Sequence, residues 1–175
     1  MRKVGYTLLT VITLLIGYGI IGEITFTPLE KKDFEVLFPN YNNSAKVSYH
    51  KDFIGWSHGD YFEMFIYQLD NVLIDSSYPK SGKNWEYTTL PDPLIPDALI
   101  ITKWQKCPFD SLMLSKYDFE LEMATSEEVK GEILKQDLID ATNYYSCIYV
   151  SELEKYLLLY SPSKKIMYYI RQRGF

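Results

Sequence analysis

The chain opens with a long stretch of apolar positions. Residues 4–21 carry no charged side chain, and as a helix they would rise about 27 Å, close to the ~30 Å hydrocarbon core of a bilayer. Tyr6 and Tyr18 lie near the two ends of this stretch, where aromatic rings favour the membrane interface. The pattern predicts a single-pass transmembrane anchor over residues 1–22.

Two other interpretations of this segment stay open. A cleaved signal peptide would have a shorter apolar region and small residues before the cut, for which Gly17 and Gly19 are poor substitutes. A buried helix of a soluble domain would normally contain some polar residues. A lipid-anchored protein would need a cysteine here, and the first cysteine is Cys107.

The charges that flank the apolar stretch predict its orientation. Arg2 and Lys3 lie directly against it, which favours a cytoplasmic amino terminus. Lys31 and Lys32 on the other side are equal in number, but they lie further away among acidic residues. We therefore expect an uncleaved signal anchor and a domain outside the cytoplasm, in the cell envelope.

The last third of the chain alternates apolar segments with polar breaks. Residues 144–150, 153–160 and 166–171 are rich in tyrosine and aliphatic residues, and short connections make such strands antiparallel. Earlier, residues 28–38 and 129–138 each follow a helix-start pattern of a capping residue and a glutamate. The sequence predicts one α+β domain over residues 23–175, with a three-stranded meander and two or three helices.

The middle of the chain is less regular. Residues 47–49 and 53–56 are predicted to be short strands. Residues 61–73 fit either a helix or the second strand of a hairpin, and their aromatic side chains favour the strand.

Three further segments follow the hairpin. Residues 98–104 are apolar and predicted to be a short helix. Residues 117–123 alternate, which predicts a strand with Asp118, Glu120 and Glu122 facing solvent. Residues 75–97 are rich in serine and proline and are predicted to be a long loop.

The balance of charge excludes some classes of partner. The predicted domain has sixteen basic and 23 acidic side chains, a formal charge of −7. This charge argues against nucleic-acid binding, which needs clustered lysine and arginine, and against the body of the domain lying flat on anionic lipid. Neither a phosphate-binding loop nor a metal-ligand spacing is present, so we expect no cofactor and no metal site.

Two features of the sequence suggest specific chemistry. Cys107 and Cys147 permit one intramolecular disulfide, which would close a loop of about 40 residues; two separate buried thiols fit the sequence equally well. Gly55-Trp56-Ser57-His58-Gly59 matches the G-x-S-x-G pattern of hydrolase nucleophiles. That fold places its histidine after the serine, and here only the adjacent His58 follows, so we expect Ser57 to lie in a turn.

One basic group stands out in the acidic domain, and it consists of Lys164, Lys165, Arg171 and Arg173. Charges at this position can protect a strand edge or contact an acidic partner or lipid headgroups. We expect a membrane-tethered, non-enzymatic binding domain with an unknown protein partner, such as an inhibitor or immunity-type protein. The alternatives are a serine hydrolase that uses Ser57 and a structural subunit of an envelope assembly.

Overall fold

The computed structural model of the chain describes residues 10–13, 28–55, 60–70, 72–80, 100–126, 129–151 and 153–174. The chain divides into two compact units, Met1–Glu30 and Lys31–Phe175. In the first unit, residues 10–13 are helical, and the rest of the predicted anchor lies outside the described residues. None of the helices in the described ranges is long and apolar enough to cross a membrane.

The second unit is an α+β domain. Its described helices are α1 (Lys31–Leu37), α2 (Ser111–Lys116), α3 (Asp118–Thr125) and α4 (Lys130–Ile139). Its described strands are β1 (Lys46–Asp52), β2 (Tyr61–Gln68), β3 (Ile100–Ile101), β4 (Gln105–Lys106), β5 (Tyr144–Ser151), β6 (Glu154–Ser161) and β7 (Ile166–Arg173).

The strands form one sheet in the order β1-β2-β7-β6-β5-β3, and all described pairs are antiparallel. The predicted meander is confirmed as β5, β6 and β7. The predicted hairpin is also confirmed, but its first strand differs. His50 to Asp52 extend the strand predicted at 47–49, whereas residues 53–55 of the strand predicted at 53–56 are not in a strand and residue 56 lies outside the described ranges. β3 and β4 both pair with β5, so together they form one interrupted edge strand.

The main hydrophobic core lies between one face of the sheet and helices α3 and α4. We call this the α3–α4 face. Strand residues at alternate positions, such as Met64, Leu157 and Ile170, pack there against Leu121 and Leu134. Each is less than a tenth exposed.

The other sheet surface, which we call the α1 face, is strongly aromatic. Phe34 of α1 packs against Tyr67 with ring centroids 5.3 Å apart, and Phe38 packs against Tyr160 at 5.5 Å. Trp104 stacks on Phe38 and donates its indole N–H to the Leu37 carbonyl at 2.7 Å. These contacts hold α1 against the half of the sheet that contains the β6–β7 turn.

Two further predicted elements are wrong. Residues 117–123 form α3 rather than a strand, because the buried positions are Tyr117, Glu120, Leu121 and Ala124, which have helical spacing. Residues 98–104 do not form a helix in their described part, where Ile100–Ile101 pairs with β5. The predicted loop has no regular structure over residues 75–80, and residues 81–99 lie outside the described ranges.

Candidate functional site

The sheet has two ends, which position different groups of polar side chains. The turn end contains the β6–β7 turn at residues 162–165, and the tail end contains Arg173 and the starts of β2 and β6. β7 covers eight residues, so the two ends lie about 24 Å apart at ~3.4 Å per residue. The richest polar cluster lies at the tail end, on the α1 face.

The centre of this cluster is Glu63, which is 8% exposed. Glu63 and Arg171 are direct cross-strand neighbours on β2 and β7. The Arg171 Nε–H donates to Glu63 Oε2 at 2.6 Å, and an Arg171 terminal nitrogen contacts the same oxygen. The other carboxylate oxygen lies 2.9 Å from His50 Nε2. Glu63 thus joins the three strands β1, β2 and β7.

Aromatic rings fix the orientation of both partners of Glu63. The Arg171 guanidinium lies 4.2 Å from the Tyr61 ring centroid and 5.5 Å from that of Phe65. The His50 ring stacks on Phe65 at 4.2 Å with an angle of 7° between the rings. A guanidinium held by a carboxylate and a ring face loses little further freedom when it contacts a partner.

A tyrosine pair extends the cluster to β6. The Tyr61 hydroxyl lies 2.8 Å from that of Tyr156, which donates to the carboxylate of Glu154. Burial raises the pKa of Tyr61, an effect that the hydrogen bond with Tyr156 and the charge of Arg171 partly oppose. Burial also strongly raises the pKa of Tyr156. Both hydroxyls therefore stay protonated at neutral pH.

Part of this cluster is open to solvent. The side chain of His50 is 36% exposed and that of Arg171 is 16% exposed. Arg173 is exposed, and its side chain makes neither a hydrogen bond nor an ion pair with the described residues. We call His50, Tyr61, Glu63, Arg171 and Arg173 the tail-end cluster. Its geometry suits recognition: a fixed arginine and tyrosine next to an unpaired arginine.

The structure does not bring the predicted basic group together. Arg171 and Arg173 belong to the tail-end cluster, whereas Lys164 and Lys165 lie in the turn, about 24 Å away along β7. Lys164 has an intramolecular partner, because its Nζ donates to Asp137 Oδ1 at 2.6 Å. Lys165 is exposed.

Asp137 forms a second polar cluster, which connects α4 to the sheet. Asp137 is 2% exposed. It accepts hydrogen bonds from Lys164, from the Tyr168 hydroxyl at 2.7 Å and from the Asn143 side-chain amide at 3.3 Å. Three donors from different elements indicate a structural role.

Cys107 and Cys147 are free, buried thiols in the main core. The Cys107 N–H donates to the Asn143 carbonyl, which places these two residues side by side. Cys147 lies four residues after Asn143, and four residues of an extended strand cover about 13 Å. A disulfide requires Cα atoms within about 7 Å. The disulfide that the sequence left open is therefore not formed, and burial raises the pKa of each thiol to about 12.

Ser57 and His58 lie outside the described residues, so the predicted turn stays a prediction. The described residues also contain no group of three or more His, Cys, Asp or Glu side chains that could hold a metal ion.

Sequence reasoning identified Arg171 and Arg173 but missed Tyr61, Glu63 and Glu154. A signal was present, because Tyr61, Glu63 and Phe65 alternate along one face of β2. The sequence alone does not show how β2 and β7 are aligned. Their register places Glu63 opposite Arg171, which lies 108 positions later in the chain.

Comparison with known proteins identifies no relative: no family model, curated protein or solved structure matches this chain.

Proposed function

We propose that this chain is a membrane-tethered binding protein without enzymatic activity. Residues 4–21 hold it in the membrane, and the α+β domain captures a protein partner outside the cytoplasm, as an inhibitor or immunity-type protein would. The observation that carries this proposal is the tail-end cluster, a preorganised group of tyrosine and arginine at one end of the sheet.

Tyrosine and arginine dominate the energetics of protein interfaces, because each offers a large contact area with hydrogen-bonding groups. Here Arg171 is already fixed by Glu63 and Tyr61, so binding costs little side-chain entropy. Arg173 lies directly opposite Tyr61 on the same face and has its donors available. A partner carboxylate or carbonyl fits these donors.

The charge of the whole domain adds to this argument. A formal charge of −7 over residues 23–175 would speed the approach of a basic protein by long-range attraction. Arg173 would then provide a specific local contact within a field of the opposite sign. The interaction is therefore expected to weaken as salt concentration rises.

The test is site-specific photo-crosslinking in membranes. A benzoylphenylalanine residue in place of Asp52, an exposed residue at the end of β1 that pairs with Glu63 on the same face as His50, should yield one discrete adduct. Arg173→Glu should abolish that adduct. The same crosslinker in place of Lys135, on the exposed side of α4, is the matched control and should yield none. An adduct that survives Arg173→Glu, or no adduct at all, would contradict binding through this cluster.

The hydrolase alternative also has one supporting observation. His50 is hydrogen-bonded to Glu63, and a histidine oriented by a carboxylate is the base of a serine triad. These two residues lie on either side of Ser57 in the sequence. If a fluorophosphonate probe labels the wild-type chain and fails to label both Ser57→Ala and His50→Gln, the hydrolase replaces the binding protein as the preferred function.

A structural subunit is the third candidate from the sequence. It would also form adducts, but it would migrate with an envelope assembly of fixed size in native electrophoresis. A binding protein should instead appear both alone and with its partner, in proportions that depend on partner concentration.

A further inference from the structure

We infer that the turn end of the sheet contacts anionic lipid headgroups, so that the domain presents its tail-end cluster away from the membrane. This inference rests on the proposed membrane tether. The inference concerns only one end of the domain. It is therefore compatible with the negative charge of the whole domain, which disfavours the body of the domain lying flat on anionic lipid.

The length of the tether limits how far this domain can move from the bilayer. Nine residues separate the predicted anchor at 4–21 from Lys31, the first residue of α1, and nine residues span at most about 30 Å when fully extended. α1 belongs to the turn half of the domain, since the Val36 carbonyl accepts the Lys80 N–H at 2.9 Å and Phe34 packs on Tyr67. The chain therefore enters the domain in its turn half.

The turn end carries lysines with no role inside the fold. Lys46 and Lys165 are exposed, and neither side chain makes a hydrogen bond or ion pair with the described residues. They belong to the same end, because Lys46 pairs with Gln68 and the next residue, Leu69, donates its N–H to the Lys165 carbonyl at 2.9 Å. Exposed lysines near a membrane are attracted to anionic headgroups.

Two aliphatic side chains accompany these lysines. Leu73 is 69% exposed and Ile139 is 73% exposed. Ile139 ends α4 two residues after Asp137, which binds Lys164 of the turn, and Leu73 follows β2 by five residues. Exposed aliphatic residues beside lysines are typical of surfaces that enter the headgroup region.

Acidic side chains also lie at this end. Asp137 is paired with Lys164, which offsets its charge. Asp75 and Asp140 accept the N–H groups of Ser77 and Thr142 but stay ionised, because these hydrogen bonds lower the pKa of each carboxyl, and Asp70 is an exposed carboxylate next to Leu69. The expected contact with headgroups therefore depends on the exposed Lys46 and Lys165 side chains and not on the net charge of this end.

The experiment measures the distance of each end from the lipid in the full-length chain. Leu73→Cys and Leu153→Cys, which lies in the β5–β6 turn at the tail end and is 56% exposed, are labelled with a fluorophore. Cys107 and Cys147 are buried with pKa values of about 12, so the label reacts with the introduced thiol. Each variant is placed in nanodiscs that carry a headgroup-attached quencher.

We expect the label at position 73 to be quenched several-fold more strongly than the label at 153 in discs containing phosphatidylglycerol. The double variant Lys46→Gln and Lys165→Asn should reduce this difference; asparagine is chosen because Lys165 has a φ of 54°, which asparagine tolerates. Equal quenching at the two positions, or stronger quenching at 153, would overturn the inference. Equal quenching at 73 in phosphatidylcholine and phosphatidylglycerol discs would overturn the contact with anionic headgroups.

The tether itself is read out separately. A chain that does not elute with the nanodiscs contradicts the proposed anchor. A chain that elutes with them but shows no preference for position 73 leaves the anchor intact and contradicts only the orientation.

Discussion

A single buried carboxylate connects α4 to the sheet. Asp137 is 2% exposed and accepts hydrogen bonds from Lys164, Tyr168 and Asn143. Asp137→Ala would leave the buried Tyr168 hydroxyl without its acceptor and Lys164 without its carboxylate, while the Asn143 amide would keep its hydrogen bond to the residue-137 backbone carbonyl. We expect this variant to lower the free energy of unfolding by about 2–3 kcal/mol, measured by urea denaturation of the full chain in detergent.

The control for this prediction is Lys135→Ala on the same helix. Lys135 forms an ion pair with Glu132, but both side chains are more than half exposed. An exposed pair of this kind contributes less than about 0.5 kcal/mol. If the two variants had equal stability, Asp137 would not have the structural role that its geometry indicates.

The two thiols give the fold a specific dependence on alkaline pH. Burial raises the pKa of Cys107 and Cys147 to about 12, whereas an unfolded cysteine titrates near pH ~8.5. Between these values the unfolded chain binds fewer protons than the folded one. Stability is therefore unaffected by the thiols below pH ~8.5 and falls as pH rises towards ~12, by at most about 1.4 kcal/mol per pH unit for each thiol.

Urea denaturation at about pH 7.5, 9 and 10.5 under reducing conditions checks this prediction. Cys147→Ala removes one titrating group, so its stability should fall less steeply with pH than that of the wild type. Tyr145, whose pKa is also raised to about 12, contributes to the slope in both proteins. Parallel slopes would mean that Cys147 does not carry a raised pKa.

At the scale of the element, α3 and α4 approach each other closely at Gly131. A Cβ atom at this position would lie 2.5 Å from the Thr125 backbone oxygen and 2.7 Å from its carbonyl carbon. Helix propensity alone predicts that Gly131→Ala would stabilise the protein by about 1 kcal/mol. Because a backbone atom blocks the methyl group, we expect destabilisation by about 1–3 kcal/mol instead.

Thermal unfolding of Gly131→Ala and of Gln136→Ala tests this expectation. Gln136 is an exposed residue of the same helix, so its alanine variant should stay within about 0.5 kcal/mol of the wild type. A more stable Gly131→Ala variant would show that the two helices separate at low cost.

The elements that the sequence predicted correctly are those with a clear local pattern. The meander follows from three long aromatic strands with short connections, and α1 and α4 follow from spaced apolar residues. α3 was missed because the acidic Glu120 is one of its buried positions, while Phe119 is 48% exposed. This arrangement imitates the alternation of a strand, and Lys155, 3.4 Å from Glu120, becomes its neighbour only in the folded sheet.

The edge strand shows a different limit of sequence analysis. Residues 100–106 are too short to show a period, and their structure depends on pairing with β5, whose paired residues lie 38 to 49 positions later. Thr102 still donates its N–H to the Cys147 carbonyl of β5, but the regular pairing is interrupted at Trp104, which turns to donate hydrogen bonds to the Tyr78 and Leu37 carbonyls. The capping box expected at Thr125 also fails, since Thr125 ends α3 and donates to the Leu121 carbonyl.

At the scale of the whole molecule, the tail-end cluster and the turn end give the domain two chemically different poles. The cluster depends on strand register and so could not be predicted as a unit, although both of its arginines were. The lysines of the turn were predicted as part of one basic group, and the sheet separates them from the arginines by about 24 Å. The proposals above give the two halves of that group different partners, protein for the arginines and lipid for Lys165.

The proposed topology predicts which side of the membrane is accessible to protease. A carboxy-terminal tag follows Phe175, and Arg173 at the end of β7 lies at the tail end of the sheet. With Arg2 and Lys3 keeping the amino terminus in the cytoplasm, protease should remove the tag in right-side-out membrane vesicles and leave it intact in inside-out vesicles. An Arg2→Glu and Lys3→Glu variant should reverse the pattern in part of the molecules, since flanking cations set the orientation. Protection in right-side-out vesicles would place the domain in the cytoplasm and redirect the crosslinking experiment to partners there.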